Sequence, residues 1–227
     1  MENIAAALGA LKARISELER RYGRPRGSVS LVAVSKTKPA EAVAAAYAAG
    51  QRDFGENQLQ DARTKLEALR DLDIVWHFIG PIQSNKTRGI ADAFAWVHSL
   101  DRSKIARRLN DQRPPDMLPL EVCLEVNVSG EATKSGIRPE QLEEFASFVS
   151  ALPRLRLRGL MAVPEPATGL EAQRLPFRQL REAMLALNQR GFDLDTLSMG
   201  MSDDIEAAIA EGATWVRIGT AIFGARN

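Results

Sequence analysis

A lysine stands at the end of the apolar, β-branched run Ser30-Leu31-Val32-Ala33-Val34-Ser35-Lys36, and Pro39-Ala40-Glu41 opens a helix directly afterwards. In a strand the side chains alternate, so Ser30, Val32, Val34 and Lys36 share one face, with Lys36 at the carboxyl tip. The carboxyl ends of strands are where strand–helix proteins place their chemistry. A free lysine has a pKa near 10.4, so only about one in 2,500 is a neutral nucleophile at pH 7. Burial can depress that value by roughly 3–5 units, enough to give an amine that attacks carbonyls.

Two further stretches carry complementary chemistry. Ser198-Met199-Gly200-Met201-Ser202-Asp203-Asp204 offers hydroxyls at Ser198 and Ser202, and at Gly200 a backbone an anion can approach closely. Ser202 is a natural N-cap for a helix over 203–211, whose positive end would face the same spot. An ordinary capped helix, with Asp203 and Asp204 in its first turn, explains the same residues. The second stretch is Arg217-Ile218-Gly219-Thr220. By alternation Arg217 shares a face with Trp215 and Gly219, and a guanidinium there needs an acceptor. A carboxylate would serve, as would a ring nitrogen or phosphate of a ligand. A lysine, a phosphate cradle and a ring-directed polar group together suit pyridoxal 5′-phosphate. They equally suit a class I aldolase acting on a sugar phosphate.

The elements that must position these groups are legible in the pattern. After the first strand come a helix at 40–49, a strand at 53–57 and a helix at 58–70. Strands are expected at 74–80, 94–100, 120–128, 155–163 and 196–200, with helices at 86–93, 101–112, 139–151, 171–190 and 203–211. The last strand, from Thr214 to Gly219, runs on towards Gly224. Asp101 is read as an N-cap. Eight strand–helix units imply a parallel sheet closed into a single (β/α)8 TIM barrel. Before them Ile4, Leu8, Leu11, Ile15 and Leu18 recur at helical spacing, giving an extra N-terminal amphipathic helix over about 1–24 packed on the barrel. Residues 1–227 are thus expected to form one domain.

Composition narrows the function. The 227 residues carry 30 basic and 29 acidic side chains, a net charge of +1 that suggests neither a nucleic acid nor a membrane as partner. A single cysteine, Cys123, cannot form an intrachain disulfide, and a cytoplasmic location fits. No apolar run is long enough to span a membrane, and charges interrupt the N-terminus too often for a signal peptide. No pair of His or Cys has metal-ligand spacing. His77 is kept as a candidate pocket residue and His98 is set aside; Lys38, Lys86 and Lys134 are read as solvated loop lysines.

The motifs Leu31-Val32-Ala33-Val34-Ser35-Lys36-Thr37-Lys38-Pro39, Phe54-Gly55-Glu56-Asn57, Trp76-His77-Phe78-Ile79-Gly80-Pro81-Ile82-Gln83-Ser84-Asn85-Lys86, Lys134-Ser135-Gly136, Arg158-Gly159-Leu160-Met161-Ala162 and Ser198-Met199-Gly200-Met201-Ser202-Asp203 onward to Arg226 closely resemble the pyridoxal phosphate homeostasis protein family. These are single-domain relatives of the alanine racemase N-terminal barrel, and the likeness spans essentially the whole chain. The resemblance implies that Lys36 carries pyridoxal 5′-phosphate as an aldimine and that Arg217 faces its pyridine nitrogen. It also implies that Asn57 lines the pocket, and that the loops Ser198, Gly200, Met201, Ser202 and Gly219-Thr220 hold the phosphate. The implied function is vitamin B6 homeostasis by a monomer that is not an enzyme, with delivery of the cofactor to recipient apo-enzymes.

The alternative is a pyridoxal phosphate-dependent amino-acid racemase. Racemisation by two bases needs an acid/base opposite the lysine. The only tyrosines, Tyr22 and Tyr47, fall on helices outside the barrel, which favours the carrier. A lysine aldolase without cofactor would be colourless where the other two are yellow.

Overall fold

The computed structural model describes residues 2–129 and 135–224. Lys134 and Arg226, which figure in the sequence motifs, lie outside them. Eight parallel strands close into a barrel in sequence order: β1 (Ser30–Val34), β2 (Asp53–Glu56), β3 (Val75–Phe78), β4 (Trp96–Leu100), β5 (Leu120–Glu125), β6 (Leu155–Met161), β7 (Thr196–Ser198) and β8 (Trp215–Ile218). The helices between them are α2 (Ala40–Ala48), α3 (Leu59–Ala68), α4 (Thr87–Ala93), α5 (Ser103–Gln112), α6 (Leu142–Ser150), α7 (Leu170–Gln189) and α8 (Ile205–Ala210). The TIM barrel expected from the pattern is therefore present. Its seam joins β1 to β8, with Val32 opposite Arg217, so the first and last strands are neighbours.

Alternation sorts each strand between two environments. On β2, Phe54 and Glu56 face the helices, while Asp53 and Gly55 face the interior; a Cβ on Gly55 would come within 2.8 Å of the Val32 side chain. The layer between strands and helices is apolar, with Phe54, Phe94 and Phe177 fully buried. The interior is instead aromatic and polar, with the rings of His77, Trp96, His98 and Trp215 5.0–5.9 Å from their neighbours. Cys123, also interior, is free and buried, and burial pushes its thiol pKa up.

The amphipathic helix α1 (Glu2–Arg21) packs on α2, α8 and α9 (Thr220–Phe223). It buries Leu8, Leu11, Ile15 and Leu18, each worth about 1.5–3 kcal/mol. Its Glu19, 1% exposed, accepts hydrogen bonds from the backbone N–H of Gly27 and Val29 at 3.0 and 2.8 Å. That carboxylate fixes the entry of β1. No helix among the described residues is long and apolar enough to cross a membrane.

Several boundaries differ from expectation. β5 ends at Glu125, not near 128; the Val126 N–H still donates to the Met161 carbonyl, but beyond it only an isolated bridge between Val126 and Ile137 continues the pairing. The 139–151 helix begins as a 3-10 turn over Pro139–Gln141. Asp101 does not cap α5; Arg102 occupies that position, and its Nε donates to Asp101 at 2.9 Å. Ser202 is likewise not an N-cap. Residues 201–204 form a turn in which the Met201 N–H donates to Asp204 Oδ1 at 2.5 Å, so α8 starts only at Ile205. β8 stops at Ile218, and the expected continuation is the single helical turn α9.

Candidate functional site

Lys36 lies just beyond β1 in a turn closed by the Lys38 N–H donating to Ser35 carbonyl at 3.0 Å. The next residue, Thr37, has φ 65°, the one positive value at a non-glycine residue among those described. A β-branched side chain rarely tolerates that conformation, so the surroundings must enforce it. They do so from behind. Ser35 is fully buried, and its hydroxyl donates to Glu56 Oε1 at 2.5 Å. Lys65 of α3 donates to the same oxygen at 2.6 Å and to the Ser35 carbonyl at 2.7 Å. Burial pushes the Glu56 carboxyl up, against the opposing pull of Lys65 and Ser35. This buried pair pins the residue preceding Lys36 to both β2 and α3. Nothing in the periodicity pointed to Lys65.

Lys36 faces a cavity of about 590 Å³ at the carboxyl ends of the strands. Asn57, Met201, Ser202, Arg217, Gly219 and Thr220 line it too, so seven of the nine residues singled out in the sequence share one wall. Asn57 reaches its place because Gly80 has no side chain; a Cβ there would lie 2.1 Å from the Asn57 carbonyl oxygen. The remaining two, Ser198 and Gly200, stand behind the wall, not on it. Ser198 is fully buried, with its hydroxyl engaged by Arg217 Nη1 and by His98. Gly200, at φ 96°, turns the chain where a Cβ would lie 2.5 Å from that of Ala208, and its carbonyl accepts the Arg217 N–H. The Ser198 hydroxyl could reach an anion in the cavity only by giving up these contacts, and Gly200 is not among the residues that line it.

Arg217 is 5% exposed. Its Nη1 donates to Ser198 Oγ at 2.6 Å and its Nη2 to the Ala162 carbonyl at 2.9 Å. No acceptor for its Nε–H is found among the described residues. Burial lowers its pKa to about 10, the charges of Asp204 and Glu125 opposing that shift. A buried guanidinium without a directly paired carboxylate, on the wall of a cavity that also presents a lysine, is the donor set for an aromatic or anionic ligand.

His77 and His98 do not line the cavity; both are fully buried beneath it. The histidine set aside from sequence, His98, is the one that touches Ser198. Lys38 lines the cavity, whereas Lys86 sits at the start of α4 away from it. Tyr22 donates to Glu206 at 2.9 Å and Tyr47 lies under Arg52, both in the helical layer.

Glu125, at the carboxyl end of β5, gave no sequence signal. Burial, and secondarily Asp101, push its carboxyl up to about 7. The folded protein thus holds a proton that the unfolded chain releases near pH 4.5. Glu125 therefore contributes stability below about pH 4.5 that is lost as the pH rises through about 7. Glu125→Gln is expected to be neutral relative to the parent at pH 4 and about 2 kcal/mol more stable at pH 8. Urea titrations at the two pH values check this; a difference independent of pH would refute it.

Residues 7–227 match the family model of the alanine racemase N-terminal domain. The pyridoxal phosphate homeostasis protein of Pseudomonas aeruginosa is 62% identical over 227 residues, covering 100% of this chain and 97% of its own. That of Escherichia coli is 51% identical over 230 residues, covering 100% and 98%. Among solved structures, PipY of Synechococcus elongatus with pyridoxal phosphate bound superposes with a TM-score of 0.86 at 38% identity, covering 97% of this chain and 100% of that one. Alanine racemase from Corynebacterium glutamicum shares the fold, with a TM-score of 0.72 at 17% identity over 99% of this chain and 60% of its own.

Proposed function

Because this chain belongs to the alanine racemase N-terminal domain family, and within it to the pyridoxal phosphate homeostasis proteins, we propose that it binds pyridoxal 5′-phosphate in the rim cavity and serves intracellular cofactor homeostasis as a carrier, not an enzyme. The observation that carries this is the convergence of Lys36 and the buried Arg217 on one cavity. The fit is chemical. An aldehyde needs an amine, a pyridine ring needs a polar partner at its nitrogen, and a phosphate needs a backbone it can approach. Lys36, Arg217 and the turns at Met201-Ser202 and Gly219-Thr220 supply these in turn. Asn57 completes the wall. Ser198 and Gly200 act from behind it by holding Arg217.

The bound cofactor supplies an electrophilic aldehyde and, when ring-protonated, an electron sink. Lys36 would supply the amine that holds that aldehyde. Arg217 donates and has no proton to spare for the ring nitrogen, which keeps the sink weak. No tyrosine lines the cavity to act as an opposing base. A tether without that partner holds an aldehyde and gives it up again. In this reading residues 1–227 form one cofactor-binding domain, cytoplasmic and monomeric, whose partners are the cofactor and, transiently, recipient apo-enzymes.

The test is transfer. Protein reconstituted with pyridoxal 5′-phosphate is mixed with an apo-enzyme that requires it, and recovered activity is followed against free cofactor at equal concentration. Activation of the recipient with loss of carrier absorbance is the expected result. Absence of transfer, with turnover of L-alanine or L-serine to the D-isomers, would replace the carrier with a racemase.

A further inference from the structure

A file of side chains runs down the barrel interior from Arg217, away from the cavity. Arg217 Nη1 is 2.6 Å from Ser198 Oγ. That hydroxyl is 2.6 Å from His98 Nδ1. His98 Nε2 is 2.9 Å from His77 Nδ1. His77 Nε2 is 3.1 Å from Asp53 Oδ1. Ser198, His98 and His77 are completely buried. Asp53 is the first residue of β2, at the end of the barrel opposite the cavity, with its side chain 27% exposed.

With both imidazoles neutral and a carboxylate at Asp53, hydrogen-bond accounting allows one arrangement of protons. A guanidinium only donates, so Ser198 Oγ accepts from Arg217. Anchored at the Asp53 acceptor, the order runs back to Ser198, whose one hydrogen goes to an unprotonated His98 Nδ1. A neutral His98 carries its proton on Nε2 and gives it to His77 Nδ1. His77 in turn carries its proton on Nε2 and gives it to the Asp53 carboxylate, which only accepts. Burial lowers the pKa of both histidines, that of His98 strongly, with His77 and Arg217 adding to the effect there. Both are therefore neutral imidazoles. Every donor points the same way, from a cation at the rim to an anion at the base.

Barrel interiors of this type are filled mainly by branched apolar side chains. A polar file there is costly unless every member is satisfied. Removing its terminal acceptor frees His77 to turn over or switch tautomer, and each member up to Ser198 loses its fixed role. The aromatic packing of His77 and His98 on Trp96 and Trp215 does not require this hydrogen-bond order.

We propose that Asp53 is a positioning residue for the cofactor cavity: through His77, His98 and Ser198 it fixes the orientation of the Arg217 guanidinium from the far end of the barrel. This rests on the reading of the cavity as a pyridoxal phosphate site.

The test uses full-length protein labelled with 15N in histidine, and two readouts. Long-range proton–nitrogen spectra are expected to show both histidines of the parent as Nε2–H tautomers. In Asp53→Ala at least one of them changes, the affinity for pyridoxal 5′-phosphate falls about tenfold, and the absorbance maximum of the bound cofactor shifts. Asp53→Asn retains an acceptor oxygen and is expected to restore both readouts. Should Asp53→Ala fail to fold, Ser198→Ala cuts the file at its other end and is expected to change the His98 signals and weaken cofactor binding together. Unchanged tautomers, or changed tautomers with unaltered affinity and spectrum, would overturn the proposal. A parent protein that takes up no cofactor would overturn the pyridoxal phosphate reading itself, an outcome distinguishable because it precedes any substitution.

Discussion

Lys36→Ala protein mixed with pyridoxal 5′-phosphate is expected to show no visible Schiff-base absorbance and to lose the cofactor on desalting. Retention should fall by at least about 100-fold, some 2.7 kcal/mol of lost binding. The expectation follows from how Lys36 is held. The turn carrying it contains a left-handed Thr37, and its amino side is locked by the buried Ser35–Glu56–Lys65 cluster. Two other described lysines invite comparison. Lys65 is rigid but packed in the helical layer, and Lys38 lines the cavity two residues further along the turn, not directly after the locked Ser35. Borohydride trapping followed by peptide mass analysis identifies the modified residue directly. Unaltered absorbance in Lys36→Ala would move the bond elsewhere, with Lys38 the first position to inspect.

Arg217→Met has the second largest expected effect, and it separates binding from folding. Loss of a charge-assisted hydrogen bond to the ring should weaken cofactor affinity by roughly 10- to 100-fold, with a shifted absorbance maximum, while the bond to Lys36 still forms. Stability behaves differently. A guanidinium whose pKa falls to about 10 on folding makes the folded state costlier by about 3 kcal/mol at any pH below that value. Methionine removes this cost at similar volume, and leaving the Ala162 carbonyl without its donor costs about 1–3 kcal/mol. The variant should therefore stay within about 2 kcal/mol of the parent in denaturant titrations. Wild-type affinity would remove Arg217 from the site; collapse of the fold would show that its role is architectural.

The parts of the site carried by single strands were legible in the sequence. Alternation placed Arg217 with Trp215 on an inner face, and an apolar run ending in a charge placed Lys36 at a rim. Counting strand–helix units supplied the barrel. What was not legible depends on register between strands. The file from Asp53 through His77 and His98 to Ser198 joins β2, β3, β4 and β7, and no periodicity along one strand reports which residues of another lie opposite. The same limit made Ser198 look like a phosphate donor. Its residue type and place in the chain were right for that, but its hydroxyl was already taken. Ser202 failed as a cap for a local reason. Asp204 captured the Met201 N–H, delaying the helix by a choice among neighbouring polar residues that propensity does not resolve.

The seam of the barrel carries a consequence for the protein's birth. Lys36 follows the first strand and Arg217 sits on the last, yet those strands pair with each other, Val32 against Arg217. A chain still emerging from the ribosome can expose the amine early, but it has no guanidinium to face it until the eighth strand has been made and has closed the ring. The cavity that Lys36 and Arg217 line therefore exists only once the eighth strand has closed the ring.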